Sequence, residues 1–456
     1  MTATGRALGT SGTAHAAHTV LIAPPYAPTR VVDIDLAEPG EFHPPGSRER
    51  IRPEGRVLAL VRLHGYPLGM VSATGTTPDE LWRALANAAH RELTDPIAGH
   101  LAADRPSARS GASSHMWDEL AVRHCQAARS RALDEATDIS VIVATHNRPE
   151  LLGRCLDSIL EMEYPQFEVI VVDNAPADES AKQLVQDSYS GRVRYVREPV
   201  PGLARAHNRG LAVARGRIAA FTDDDTLVDA QWLTELAAAF SADRRIGCVT
   251  GLIVPAELQT RAQAALERHG EFGKGYSPQT WSLHNPPADP LFPFTAGRCG
   301  SGTNMAFRTD LLRALGGFDP ATGTGTPAHG GDDLLAFFRV LVHGRTLAYQ
   351  PGAIVWHRHH RTDDAMKTQA FGYGVGLGAY LTGALAHEPR MLPAMLRKLP
   401  GGIRYAAAKA RGRTEPGAGW SRQLALLEIR GLLYGPLGYL RSRYLNRAAR
   451  ADRDRG

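Results

Sequence analysis

The sequence predicts an α/β protein built on a mostly parallel sheet flanked by helices, and three observations predict it. The runs ISVIV at 139–143, FEVIVV at 167–172 and IAAFT at 218–222 are almost wholly aliphatic, β-branched or aromatic, the mark of strands buried on both faces. Segments with apolar residues at helical spacing separate them, so strand and helix alternate as in βαβ units with right-handed crossovers. Each run also ends in polar or acidic residues, and open parallel sheets gather their ligands at those carboxyl ends.

In chain order, residues 1–25 are rich in Ala, Thr, Gly and His without periodicity and are expected to be disordered. Residues 26–101 form a small α/β module. Its parts are a strand at 30–36, a hairpin at 56–71 turning at Gly65, Tyr66 and Pro67, and a helix at 79–93 capped by Thr77. Its His64 and His90 read as structural or surface residues rather than ligands. A linker and connecting helix fill 102–137, the linker around AADRPSARSGASS and the helix at 116–133.

The central domain, 138–362, opens with the strand 139–143 and a polar turn, Ala144 to Pro149. A helix follows that sets Leu151, Leu152, Cys155, Leu156 and Ile159 on one side. Strands at 167–172, 192–196 and 218–222 come next, then a helix at 231–240 and an apolar strand at 246–254. The stretch to about Arg298 reads as irregular. GSGTNMAFR at 300–308 is a glycine-rich turn entering a strand, and 309–317 a helix closed by Gly316 and Gly317. HGGDDLLAFFRVLV at 329–342 is a glycine pair and two carboxylates opening an amphipathic helix, and 346–360 a strand ending in histidines.

Composition narrows the function. The 456 residues admit two or three domains. The formal charge is +5, but from Glu388 onward fifteen Lys or Arg face five acids, so the rest of the chain is net negative. That argues against a nucleic-acid-binding core. Cys125, Cys155, Cys248 and Cys299 form no CxxC pair, which argues against a disulfide framework or zinc module. No secretory pattern opens the sequence, so cytoplasmic residence is expected, at the inner face of the cell membrane if the tail binds lipid. Residues 370–386 are uncharged but carry five glycines and fall short of the ~20 residues of a spanning helix, so they read as a buried or interfacial helix.

The chemistry concentrates in Asp223, Asp224 and Asp225. Three side chains that ionise near pH ~3.9 at the end of a buried strand call for a positive partner, and a hard divalent cation shared with substrate phosphates supplies one. The alternative is a solvated acidic turn before a helix capped by Asp229.

In sequence order, the segments ISVIVATHNRPELLGRCLDSI, FEVIVVDNAP, PGLARAHNRGLAVARG, FTDDDTLV, GSGTNMAFRTDLLRALGGFD and GGDDLLAFFRV resemble a family 2 glycosyltransferase of the GT-A fold. The resemblance covers about half the chain. It implies that Thr145, Asn147, Arg148, Asp173, Arg205, Asn208, Asp223 and Asp224 contact the donor nucleotide, a UDP- or dTDP-sugar, with Asp173 recognising its base. Asp223, Asp225 and His357 would hold Mn²⁺ or Mg²⁺. Asp333 would be the catalytic base with Asp332 positioning the acceptor, and Gly302, Asn304 and Arg339 would lie on the acceptor side. For Arg339, pairing with an acceptor phosphate and pairing with Asp332 both stay open. Two departures stand out: Asp332 replaces the usual Glu, and Asn174 stands where a second acid is common. The implied reaction is inverting, metal-dependent sugar transfer to a hydroxyl of a saccharide or lipid-linked acceptor, in cell-envelope polysaccharide or glycoconjugate synthesis. A non-catalytic nucleotide-sugar-binding or scaffold protein, or glycosylation of a small natural product, are the alternatives.

The region 363–456 is expected to be helical and basic. Leu433, Leu437, Leu440 and Tyr444 at helical spacing beside Arg441, Arg443, Arg447 and Arg450 suit either peripheral contact with an anionic membrane or a helix packed on the catalytic domain.

Overall fold

The computed structural model describes residues 27–104, 124–270, 272–413 and 422–453. The expected disordered N-terminus and most of the expected linker lie outside them.

The N-terminal sheet pairs β1 (Arg30–Asp35) parallel to β2 (Gly55–Leu63), and β2 antiparallel to β3 (Tyr66–Gly75). The hairpin turns at His64 and Gly65, one residue earlier than expected. α1 (Pro78–Glu92) starts at the expected cap, Thr77, whose hydroxyl accepts from the Glu80 amide, and α2 (Thr94–Ala103) follows. Side chains alternate along a strand. Thus Val32, Ile34, Val57, Ala59 and Val61 pack under α1 in the module's own core, while Val31, Leu58, Leu60 and Met70 join the main core. Arg62, buried between Asp33 and Asp229 at 2.6 Å from each, ties the module to the catalytic sheet.

After α3 (His124–Asp134), β4 (Ile139–Thr145), α4 (Pro149–Leu160), β5 (Phe167–Asn174), α5 (Ser180–Ser188), β6 (Val193–Glu198), α6 (Leu203–Val213) and β7 (Ile218–Asp223) form the expected βαβ series. Then come β8 (Thr226–Val228), α7 (Trp232–Ala242), β9 (Ile246–Pro255), α8 (Arg261–Gly270), β10 (Gln279–Trp281), β11 (Asn304–Arg308), α9 (Thr309–Ala314), α10 (Asp332–Val342) and β12 (Thr346–His357). The nine-stranded sheet runs β10-β12-β9-β11-β7-β4-β5-β6, with β8 paired to β12.

The sheet is mostly parallel, as expected, with six strands running one way and three against them. β7, β4, β5 and β6 are parallel, as are β9 and β12, but β11 runs antiparallel between β7 and β9, and β8 and β10 are antiparallel to β12. The reversal has a consequence for the site. Because β11 starts where β7 ends, with Asn304 opposite Thr222, the loop before it lies against Asp223. The stretch to Arg298 is also less irregular than expected. α8 is rich in Ala, Leu, Glu and Arg, strong helix formers, and buries Ala262 and Leu266 against Met366 and Leu424.

The C-terminal region is helical, as expected: α11 (Asp363–His387), α12 (Leu392–Arg413) and α13 (Arg422–Arg453). The glycines of 370–386 serve close helix packing. A Cβ on Gly374 would meet the Glu428 carbonyl at 1.9 Å, and one on Gly378 the Leu432 carbonyl at 2.5 Å. Among the described residues no helix is long and apolar enough to cross a membrane. Leu433, Leu437, Leu440 and Tyr444 face outward, each more than half exposed, as do Leu396, Leu399 and Ile403 of α12.

Candidate active site

β7 stays apolar and buried through Phe221 and leaves the sheet at Asp223, so the three carboxylates fall in the tight connection to β8. Their side chains diverge. Asp224 turns under the end of β4, where it accepts from Thr145 Oγ1 at 2.8 Å and from Arg148 Nη1 at 3.3 Å. Asp223 accepts from Thr303 Oγ1 at 2.8 Å. Asp225 Oδ2 accepts from Arg148 Nη1 at 3.1 Å, and Oδ1 lies 3.5 Å from His357 Nε2. The register explains this last pairing: β8 runs antiparallel to the end of β12 with Thr226 opposite His357.

The electrostatics separate the three. Burial and the neighbouring Asp225 charge raise Asp223, and the same two causes push Asp224 up to about 7. Burial also works against the charge on Asp225, but His357 and Arg148 outweigh it and hold that carboxyl at about 2. The Asp225 charge in turn raises His357 against its own desolvation. Asp225 Oδ1 and His357 Nδ1 are buried and make no hydrogen bond. Asp225 Oδ1 with the His357 ring 3.5 Å away, and Asp223 adjoining, make a carboxylate and imidazole donor set that fits a divalent cation of the Mn²⁺ type. Asp224, occupied by Thr145 and Arg148, is a brace. His359 shares the strand face of His357, as its position predicts, but its Nε2 is bonded to Glu267 at 2.7 Å.

On the other side of the loop, α10 begins at Gly331, whose φ of 83° and contact with the Gly376 carbonyl leave no room for a side chain. Its first turn carries both acids, and they point apart. Asp333 Oδ2 accepts from the Gly302 amide at 2.8 Å and Oδ1 from the Leu334 amide at 2.8 Å. Burial and the Asp332 charge push Asp333 up to about 6. Asp332 is buried with Oδ2 3.5 Å from His207 Nδ1, away from the loop that holds Asp333. Gly302 and Thr303 are consecutive, so one dipeptide holds Asp333 through its amide and Asp223 through its hydroxyl.

At the third strand end, Asp173 is fully buried. Its Oδ2 accepts from Tyr195 OH at 2.8 Å, while Oδ1 is buried without a hydrogen-bond partner. Asn147, at φ 55° in the turn after β4, accepts the Ala177 amide at 2.9 Å. Asn174 has a structural task that an acid lacking an amide donor would fail. It donates to the Val200 carbonyl at 2.8 Å and accepts from the Gly202 amide at 2.9 Å, latching the turn before α6.

Four residues expected at the site are not brought there. Asn208 is bonded in both directions to the Phe318 backbone, 2.8 Å each way. Asn304 is fully buried, donating to the Leu252 and Ala353 carbonyls and accepting from Trp232 Nε1. Arg339 neither meets a cleft nor pairs with Asp332, because its guanidinium caps the carbonyls of Leu315 and Gly317 at the end of α9. Arg205 reaches Asn446 of α13 at 2.5 Å and lines a pocket there with Arg443 and Arg447. Conversely, sequence reasoning missed Thr303, Tyr195 and His207. Thr303 lay inside a quoted motif with nothing to set it above its neighbours. His207 gave no signal beyond its place on the buried face of α6, where Phe221 and Phe318 enclose it.

Residues 140–316 match the family model described as glycosyl transferase family 2. A protein of Mycobacterium tuberculosis, described as uncharacterized protein MT1568, is 39% identical over 87 residues, 19% of this chain and 27% of that protein. The succinoglycan biosynthesis protein ExoO of Rhizobium meliloti is 38% identical over 100 residues, 21% and 28% of the two chains. The matches thus span about a quarter of these relatives' length. Among solved structures, the mannosyltransferase PcManGT from Pyrobaculum calidifontis, in complex with GDP-Man and Mn²⁺, is similar with a TM-score of 0.41 and 20% identity, covering 67% of this chain and 92% of that one. The central part of this chain, residues 140–316, is a family 2 glycosyltransferase domain.

Proposed function

We propose that the chain transfers a sugar from a nucleoside-diphosphate sugar, UDP- or dTDP-linked, to an acceptor hydroxyl, inverting the anomeric configuration. One observation carries the proposal: Gly302 and Thr303 bind Asp333 to the carboxylate cluster at Asp223, putting a proton acceptor and a diphosphate-holding group on either side of one loop.

Asp173, with an unpaired buried oxygen at the end of β5, binds the donor's base, and Thr145, Asn147 and Arg148 shape the turn over which the nucleotide lies. Asp225 and His357, with Asp223 beside them, hold the divalent cation, Mn²⁺ or Mg²⁺. When bound, that cation supplies Lewis-acid stabilisation of the leaving diphosphate. Arg148 keeps Asp224 and Asp225 from repelling each other before the donor arrives. Asp333 takes the proton of the acceptor hydroxyl as its oxygen attacks the anomeric carbon from the face opposite the leaving group. The Gly302 and Leu334 amides fix both of its oxygens, so the carboxylate does not need to search for its orientation. Asp332 supports from behind through His207. A single displacement suits this site, since it presents one carboxylate for the acceptor.

The outward apolar stripes of α12 and α13, with Arg441 and Arg447 exposed beside the latter, support a peripheral seat on an anionic cytoplasmic membrane face and a saccharide or lipid-linked acceptor of the cell envelope. A screen of nucleotide sugars for slow Mn²⁺-dependent hydrolysis tests the reading. Release of one nucleoside diphosphate above background, lost in Asp333→Asn, is the expected result. Hydrolysis of none, with none bound, would refute it.

A further inference from the structure

Far from the cleft in sequence, the N-terminal module assembles a second cluster of metal-ligating groups. His64 Nδ1, His100 Nε2 and Asp104 Oδ2 form a nearly equilateral triangle, with sides of 2.9 Å (His64 to Asp104), 3.1 Å (His100 to Asp104) and 3.2 Å (His64 to His100). The three side chains are only 8%, 9% and 8% exposed. We propose that this triangle is a binding site for a divalent transition ion of the Zn²⁺ class, separate from the sugar-transfer site.

The geometry suits a tetrahedral ion. Zn²⁺ bonds of ~2.0–2.1 Å in a tetrahedron place neighbouring ligand atoms ~3.3 Å apart, close to all three sides, and leave the fourth position for water. Asp104 Oδ2 faces both imidazoles and the two nitrogens face each other across 3.2 Å, so all three lone pairs can converge on one ion when neither nitrogen carries a proton.

The backbone is built to hold it. His64 occupies the left-handed region at φ 57°, uncommon for a residue with a side chain, in the tight turn between β2 and β3. Asp35 fixes that turn by accepting the amides of both His64 and Gly65. Arg129 of α3 donates to the His64 carbonyl at 2.8 Å and pairs with Glu235 of α7 at 2.7 Å. The Tyr66 ring stacks on His100, with centroids 5.6 Å apart. The residues come from the β2–β3 turn and the end of α2, so a bound ion would fasten these two elements, and through the turn α3 and α7, into one clamp.

The test uses the full chain carrying Asp225→Ala and His357→Ala, which removes the ligands of the other site. After stripping with chelator, titration calorimetry with Zn²⁺ should find one tight equivalent, and the melting temperature should rise on adding it. His64→Asn, chosen because Asn tolerates the left-handed backbone, and His100→Gln should each lose that equivalent and the rise, while the stripped proteins melt like their stripped parent. Should either substitution unfold the chain, Co²⁺ added to the parent answers instead: a visible tetrahedral ligand-field band supports the site, and its absence refutes it. No tight equivalent in the parent, or one retained in both variants, would overturn the proposal.

Discussion

The two halves of the central sheet use the same polar residue types to opposite ends. On the side of β4, β5 and β7, polar groups at the strand ends are left partly unsatisfied: Asp173 Oδ1, Asp225 Oδ1 and, across β8, His357 Nδ1. On the side of β9 and β11, Asn304 has both of its side-chain atoms engaged, and Arg339 gives Nη1 and Nη2 to two carbonyls behind the cleft while its Nε has no partner. A buried polar atom without a partner costs free energy, about 1–3 kcal/mol, so a fold retains one where a ligand completes it. Saturation alone does not separate site from scaffold, since Trp356 Nε1 and Arg339 Nε lack partners too and both Asp333 oxygens are engaged; the position of the polar groups at the strand ends does.

This contrast can be broken by substitution. Asp333→Asn keeps the shape and loses the base, so turnover should fall ~10²–10⁴-fold while the donor's dissociation constant stays within about threefold of the parent's. Near-normal turnover would remove Asp333 from its role. Asn304→Ala should act on stability instead. It strands the Trp232 indole and two carbonyls, an expected loss of about 3 kcal/mol read by denaturant titration, with donor affinity preserved in the folded fraction. A weakened donor with unchanged stability would place Asn304 in the site after all.

A smaller effect sharpens the comparison through pH. Because Asp333 is raised to about 6, its basic form is lost as pH falls through that value, and kcat/KM should drop tenfold per unit below it. The Asn variant's residual rate should lack this limb. Thr303→Val removes one hydrogen bond to Asp223, worth about 1 kcal/mol, so turnover should fall about fivefold with Mn²⁺ affinity falling in parallel.

Much of this was legible beforehand because it is local. The runs at 139–143, 167–172 and 218–222 are strands buried on both faces, and that requirement writes itself into consecutive residues. The acids at their ends follow by position. What was not legible depends on pairing between distant segments. No pattern in GSGTNMAFR announces that β11 inserts antiparallel between β7 and β9, yet that insertion brings Thr303 to Asp223 and buries Asn304. Arg339 sits on α10 only six residues after Asp333, near enough in sequence to resemble a partner of the site. The helix carries it to the carbonyl end of α9. The glycines of 370–386 read as ambiguous because the surface they fit belongs to α13. His64 read as structural for the same reason, since His100 and Asp104 reach it only through the packing of α2 against the β2–β3 turn.

The role proposed for Asp225 and His357 is to hold a cation through which the donor's diphosphate binds. Calorimetry of UDP and dTDP binding, with and without Mn²⁺, on the parent and on Asp225→Ala measures it directly. At least one nucleotide should bind the parent ten times or more tightly with Mn²⁺, and the variant should lose this enhancement while keeping the weaker, metal-free affinity. Equal binding with and without Mn²⁺, unchanged by Asp225→Ala, would contradict it.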